Sequence, residues 1–562
     1  MKTKFFIFIL PAVVWLSACT EKNTPTDNSG TNSDDPTGVV AGDTTLTTSD
    51  TIRITWNGAS ATISGSHDSV SVTDKNGYVT VMSAVKDLTY LLSGNGKGCL
   101  RIEGTNRHQL ILSDLTLVCS DGPAINNQCK KSCFVVLDGT NSLTDGSSYA
   151  TSTEDRKAAF FSEGQMIFSG SGSLSVKGNY KHAIASDDYI QFAQSTGALT
   201  LNAASDGIHA NDGIYFDGGT FAITAGSDGV QCDSLIVFNN GSLTISAGAD
   251  GIQSDTSSIT VSGGSITVTK AGDKGMTAFE DISVSGGSIV ISSEYKCIKA
   301  GKKDDNDKVI SAGAITITGG DIHVTCNGAA SSNNNHWGSD SGNSSPEAIE
   351  AKGPVTISGG HIYAKSADDA INAGGDLTIS GGRVFAWSTS NDGIDANGNC
   401  YIKGGLVYAI GSTSPELAID ANTEGGKKLY ISGGTIMTIG GLESGASITG
   451  GTCKYSSSWN ESSWYALYNG GTLEVAFQTP AKSSSGGSFY APPGGGNRPG
   501  GGSNPGGNGP GGGSSQQLTV YTSSTPTLQS GVTVSGGTEY FDGMANLGGT
   551  VSGGTAVTLS NY

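Results

Sequence analysis

One short segment returns along this chain at a nearly constant interval, and that interval constrains the fold more than any other feature. "HAIASDD" (182–188), "DGIHAND" (206–212), "DGVQCDS" (228–234), "DGIQSDT" (250–256), "EAIEAKG" (347–353), "DAINAGG" (369–375), "DGIDANG" (392–398) and "LAIDANT" (417–423) align at their central apolar residue. Taking Ile184, Ile208, Val230, Ile252, Met276, Ile298, Ile349, Ile371, Ile394 and Ile419, the successive gaps are 24, 22, 22, 24, 22, 51, 22, 23 and 25. A fixed period of this size means a stack of similar units, each unable to bury its apolar face alone. The long gap exceeds the period by 51 − 22 = 29 residues, which fall in two polar inserts, "KKDDNDK" (302–308) and "SSNNNHWGSDSGNSSP" (331–346).

Between the acidic segments each unit reads apolar-x-apolar-x-Gly-Gly-x-apolar-x-apolar, as in "ITVSGGSITVT" and "LTISGGRVFAW". Alternation with period two marks strands, and Gly-Gly permits a tight turn with positive φ. Two such strands plus the short "GIxA" segment make three strands per unit. The expected fold is all-β: a right-handed, single-stranded parallel β-helix of pectate-lyase-like architecture, with about 22–25 residues per coil and equivalent strands about 4.8 Å apart. Its inward rows run Ile259, Ile282, Ile315, Val355, Leu377, Cys400, Leu429 and Val261, Val284, Ile317, Ile357, Ile379, Ile402, Ile431. Small residues from Ala210 through Ala396 to Ala421 mark a cramped corner.

The two ends read differently. "MKTKFFIFILPAVVWLSAC" carries two lysines and then an apolar run too short to span a bilayer, which is a secretion signal over 1–18. Its "LSAC" ending resembles a bacterial lipobox, so Cys19 is expected to carry a lipid anchor and place the protein on the outer membrane, facing the cell surface. Residues 19–45 read as a disordered tether, 46–120 as a cap with the first coils, and 121–480 as the β-helix. Residues 481–517, rich in Gly, Pro and Ser, read as a low-complexity loop or linker, and 518–562 as a terminal β segment or cap. A net charge of −19 with no basic cluster argues against nucleic acid. Nine cysteines follow Cys19 without a zinc spacing; most read as core residues, and a Cys129–Cys133 bridge stays open.

Residues 110–190, with "GPAI", "LDGTNSLTDG", "KAAFFS", "GSGSLSV" and "HAIASDD" in that order, closely resemble a family of secreted bacterial carbohydrate-binding β-helix proteins. The resemblance is good over about residues 50–325 and looser beyond. It implies a polysaccharide-lyase-like fold with bound calcium that recognises cellulose or acidic plant sugars, without established lyase activity. A surface-anchored binder of polysaccharide would have other surface glycan-utilisation proteins as candidate partners.

Three sets of residues then compete for function. Glu347, Asp369 and Asp392 stand two positions before the central apolar residue, and Glu350, Asn372, Asp395 and Asp420 one after; Asp206, Asp228 and Asp250 form an earlier stack. Carboxylates stacked on adjacent rungs repel unless a hard cation such as calcium relieves them, although Asp-Gly is also a common turn former. After each Gly-Gly, Tyr363, Phe385 and Tyr408 align on three coils with His323 one coil earlier, Trp387 beside them, and His336 and Trp337 in the neighbouring insert. Stacked aromatics suit the CH-rich faces of sugar rings, or simply stabilise the sheet. Finally, a pectate-type lyase needs calcium and a basic residue, for which Lys299, Lys352 and Arg383 are nearest. The expected function is non-catalytic polysaccharide binding; a calcium-dependent lyase and a structural or adhesive stalk are the alternatives.

Overall fold

The computed structural model describes residues 46–562 apart from 49, 305, 307, 330–344, 413–415 and 482–516. Cys19, the signal and tether, His336, Trp337 and nearly all of the Gly/Pro-rich tract therefore lie outside the described residues.

The fold follows from the period-two alternation. Ile259–Val261, Ile282–Val284, Ile315–Ile317, Val355–Ile357, Leu377–Ile379, Cys400–Ile402 and Leu429–Ile431 pair in parallel, each with its counterpart in the next repeat. The strands after the Gly-Gly turn form a second parallel row, from Ser265–Ala271 through His361–Ser366 and Arg383–Ser388 to Thr435–Ile439. The short segments form a third, from Ile125–Asn127 to Ile394–Ala396, with Ile419 bridging beyond it. All described regular structure is β, and no helix occurs among the described residues. The two inward rows named above pair residue for residue and are buried at every rung. Each buried Ile or Val removes enough apolar surface to contribute about 1.5–3 kcal/mol, offset by the entropy of ordering the chain. A run of stacked rings, Phe168, Phe192, Phe216 and Phe238, fills the earlier rungs at centroid spacings of 5.1, 5.2 and 5.4 Å.

Glycine is needed at two kinds of place. At the Gly-Gly turn the second residue is left-handed, with φ of +82° at both Gly287 and Gly382. In the Asp-Gly pair the reason is packing: a Cβ on Gly207 would lie 2.3 Å from Ile223 Cγ2, and one on Gly229 2.4 Å from Ile245 Cγ2. The repeated "DG" is therefore set by the width of the core as much as by turn chemistry.

The stack is closed at both ends by antiparallel pairing. Thr51–Gly58 pairs with Ala61–Ser64, and Val70–Lys75 with Tyr78–Ser83. At the other end Leu518–Thr522 pairs with Thr435–Ile439 and Thr452–Ser456. A six-stranded antiparallel sheet, built from residues 464–469, 472–478, 526–535, 538–540, 545–547 and 550–556, lies with it. This terminal piece packs on the flank of the stack: Trp459, Tyr465, Phe477, Leu528 and Phe541 share one apolar cluster with Tyr363, Phe385, Tyr408 and Met437. Cys129 and Cys133 are free thiols, as are the other described cysteines, and all but Cys99 are buried.

Candidate functional site

Two columns of side chains flank the short strands and face away from the aliphatic core. The column two positions before the central apolar residue reads His182, Asp206, Asp228, Asp250, Lys274, Lys296, Glu347, Asp369, Asp392; the column one after reads His209, Gln231, Gln253, Thr277, Lys299, Glu350, Asn372, Asp395, Asp420. Parallel register fixes both columns, since Ile208↔Val230, Ile349↔Ile371 and Ile371↔Ile394 are paired.

In the first column the aspartates share one task. Asp206 Oδ1 accepts the backbone N–H of Asp228 at 3.1 Å, Asp228 Oδ1 that of Asp250 at 2.8 Å, and Asp250 Oδ1 that of Lys274 at 2.8 Å. Asp369 Oδ1 accepts the N–H of Asp392 at 3.1 Å, and Asp392 Oδ1 that of Leu417. One oxygen of each carboxylate thus ties its rung to the next, and the other remains for something else.

The acidic residues are not exposed, although they point away from the aliphatic core. Glu347, Glu350, Asp369 and Asp392 are 3–7% accessible and line a cavity of about 750 Å³ with Asp368, Asn372, Asp395, Glu416, Asp420, Glu424 and three lysines. The first insert contributes to its wall: Lys302–Lys303 and Val309–Ser311 form a hairpin, placing Lys303 and Val309 at the cavity. One end of the cavity is neutralised. Lys296 Nζ pairs with Glu347, lies 3.0 Å from Glu350 Oε2 and donates to the Ser345 carbonyl at 2.8 Å; Lys352 pairs with Glu350. Burial opposes the charge on Glu350, but Lys296, Lys352 and Lys299 win and hold its carboxyl well below the usual range.

At the other end the acids crowd one another. Burial, then the Asp395 and Glu416 charges, push Asp392 up to about 8, while a backbone hydrogen bond from Leu417 opposes them. Burial, a hydrogen bond to Glu443 and the Asp392 and Asp395 charges push Asp420 up to about 9. Asp395 is raised to about 6, first by burial and then by Asp368, and burial raises Asp369 well above its ordinary value. Asp392, Asp395 and Asp420 each offer an oxygen within 4.8 Å of the others. Asn372 Nδ2 donates to Glu347 Oε1 at 2.9 Å and to Asp369 Oδ2 at 3.1 Å, and its Oδ1 accepts from Asn397 Nδ2 at 3.3 Å.

In the earlier stack of Asp206, Asp228 and Asp250 the three aspartates have different neighbours. Asp206 stands with His182 and His209, whereas Asp228 and Asp250 join no such group among the described residues. Asp250 lies 3.8 Å from Lys274 Nζ. The histidines gave no ladder signal in the sequence, because each is the single histidine of its column.

The aromatic row is in register as expected: Tyr363 stacks on His323 at 4.3 Å and on Phe385 at 5.1 Å, with Tyr408 next at 5.3 Å. It is not an exposed strip. Tyr363 is 9% accessible, and Phe385 and Tyr408 are fully buried, because the terminal piece covers them. Phe541 stacks on Phe385 at 5.3 Å from a corner where Phe541 and Asp542 both have positive φ, and Tyr408 Oη donates to the Gln478 carbonyl at 2.9 Å. Reading Phe385 and Tyr408 as a sugar platform is thereby corrected: the apolar faces are spent on intramolecular packing. Trp387 is half-buried under Lys365, whose Nζ is 4.2 Å from the ring. At the open end of the row, His323 and Tyr363 line a pocket of about 310 Å³ with Asp321, His361, Tyr540 and Asp542. Arg383 sits over Tyr540 at 4.6 Å and against His361.

A large cavity lined by carboxylates and amides, on an all-β stack, is suited to an oxygen-rich ligand. A family model described as carbohydrate-binding domain-containing protein matches residues 75–304 and 273–393, together more than half of the chain. The chain belongs to that family. Among solved structures it is similar to the polysaccharide lyase-like protein from C. thermocellum, determined as a gadolinium derivative, at 17% identity; the match covers 50% of this chain and 95% of that one, with a TM-score of 0.29. No curated protein matches the sequence.

Proposed function

We propose that this protein is a right-handed parallel β-helix that binds polysaccharide, without cleaving it, through the acidic cavity on its short-strand face, with calcium held at residues 392–420. The observation that carries this reading is the charge balance of the cavity: nine carboxylates against three lysines line it, and two of the lysines, Lys296 and Lys352, pair with Glu347 and Glu350. Burial and neighbouring carboxylates raise Asp392, Asp395 and Asp420, and a hard ion held by their oxygens would relieve that repulsion. Carboxylate and amide oxygens are the donor set calcium prefers. Asp392, Asp395 and Asp420 would hold it, supported by Asp369 and Asn372, and the bound ion would supply a positive charge to which a carboxylate or hydroxyl of a sugar can bind. Glu347 and Glu350, engaged by Lys296 and Lys352, would instead shape the wall.

The favoured ligand class is an acidic polysaccharide, because an anionic cavity takes an anion only across a bridging cation. Cellulose-like chains are the second class. The lyase reading has less support: a lysine acting as base must lose its proton, whereas Lys352 pairs with Glu350 and the Glu347 and Glu350 charges raise Lys296 despite burial. Arg383 is engaged with Tyr540 and His361. A purely structural stalk would have no use for an unneutralised cavity. Anchoring through Cys19 to the outer membrane, facing outward, belongs to the same proposal; loss of lipid labelling in Cys19→Ala would support it, and unchanged labelling would remove it.

The central test is affinity electrophoresis of the mature chain in gels containing pectic polymer or soluble cellulose derivative, with calcium or with chelator. Retardation by the pectic polymer only with calcium, lost in the Asp392→Asn/Asp395→Asn double variant, is the expected result. Retardation unaffected by chelator would remove calcium, and release of an unsaturated uronide product would convert the binder into a lyase.

A further inference from the structure

We infer that His182, Asp206 and His209 form a second metal site, separate from the acidic cavity and of the kind that takes a divalent transition ion such as zinc. His182 Nδ1 lies 2.9 Å and His209 Nδ1 3.4 Å from the same oxygen, Asp206 Oδ2. Three protein atoms of the kind that bind zinc thus lie within 4.8 Å of one another. In a tetrahedral zinc site, bond lengths of about 2.0–2.1 Å put neighbouring donor atoms about 3.3 Å apart, close to both separations.

Hydrogen bonding alone leaves this arrangement unsatisfied. Asp206 Oδ1 is occupied by the Asp228 N–H, so Oδ2 is the oxygen left for the histidines. The Asp206 N–H also lies 3.3 Å from His182 Nδ1. His209 Nδ1 is buried with no hydrogen-bond partner. Gln231, paired with His209 on the next rung, has its Oε1 buried and unpartnered as well, while its Nε2 is spent on Asp233 and Asp255. The side chains of His182 and Asp206 are more than nine-tenths buried. A cation among these acceptors satisfies them together, and Gln231 or water is available as a fourth ligand.

Imidazole nitrogen separates this site from the cavity at residues 392–420, where every donor is oxygen. Nitrogen donors favour zinc, copper or nickel over calcium. The two rings now stack at 4.5 Å with 19° between their planes, so one ion can meet both lone pairs only after a ring turns about χ2. That torsion is broad in histidine, and the less buried His209 is the ring with more room to turn.

The test is titration of the chelator-stripped mature chain with Co²⁺, followed by visible absorption, and with Zn²⁺ by calorimetry. One equivalent of Co²⁺ giving the intense bands of a low-symmetry, nitrogen-ligated ion, displaced by Zn²⁺ and not by excess Ca²⁺, is expected. Asp206→Asn keeps an oxygen to accept the Asp228 N–H while removing the charge, so the fold should persist and Co²⁺ affinity should fall by more than about tenfold. His182→Ala/His209→Ala should abolish the spectrum, and Asp392→Asn/Asp395→Asn should leave it unchanged. Absence of a nitrogen-ligated Co²⁺ spectrum in the wild type, or its persistence in the double histidine variant, overturns the proposal and leaves the trio as a histidine–carboxylate hydrogen-bond network.

Discussion

At the rungs around residues 347–420, the stack carries two flanks that look alike on paper: a row of acids on one, a row of aromatics on the other, both placed outward by strand alternation. The terminal piece treats them oppositely. It lays Phe541, Phe477 and Tyr465 onto Phe385 and Tyr408 and seals them, while the acids remain around a cavity of about 750 Å³. The difference is one of solvation. Aromatic faces gain free energy by leaving water and find partners anywhere along a chain, whereas carboxylates lose it unless each gains a countercharge. An apolar ladder is therefore the flank that gets covered, and an acidic ladder the one that stays available for a ligand.

The largest effect that could break this comparison is on the aromatic flank. Phe385→Ala should cost about 3–5 kcal/mol in denaturant unfolding by emptying a fully buried ring site, while leaving glycan retardation in folded protein unchanged. Loss of retardation at unchanged stability would return Phe385 to the ligand surface. Next comes calcium at the acidic flank. At a hundredfold excess over its dissociation constant it should raise stability by about 2.7 kcal/mol, and the gain should vanish in Asp392→Asn/Asp395→Asn. An equal rise in that variant would move the ion elsewhere.

A smaller effect sharpens the contrast through pH. Asp392 and Asp420 have folded-state pKa values of about 8 and about 9 against an ordinary 3.8, so the folded state holds protons that the unfolded state has released. Their contribution is fully present below pH about 4 and is lost as pH rises toward 8–9; in chelator the melting temperature should fall across that window, and Asp392→Asn should flatten the fall. Asp206 runs the other way. His182 and His209 outweigh burial and hold it well below its ordinary value, so its contribution is present above pH about 4 and is lost only on acidification. The smallest effect tests the rung bonds. Asp228→Ala should cost about 1 kcal/mol by orphaning the Asp250 N–H, and Asp228→Asn, which keeps the acceptor, markedly less.

Much of this was legible in the repeat. Ile394 and Ala396 fall in an apolar ladder and a cramped corner because the period fixes which residues stack, and parallel pairing has no freedom to slip without turning a core face outward. Asp369, Asn372 and Asp392 were found by the same alignment. What alignment could not convey was burial: nothing local says that the hairpin at 302–311 walls the cavity or that Lys296 sits against Glu347, 51 positions along. His182 and His209 were less legible, since each is the single histidine of its column and forms no ladder.

The sequence by itself determined the rungs: strand alternation, Gly-Gly turns and the 22–25-residue interval are local properties, and each rung repeats the same packing problem. Only the tertiary structure decided which outward flank stays open. That choice depends on residues 459–478 and 518–562 folding back over rungs up to about two hundred positions earlier, and such a contact is set by complementary apolar surfaces rather than by any pattern within either segment.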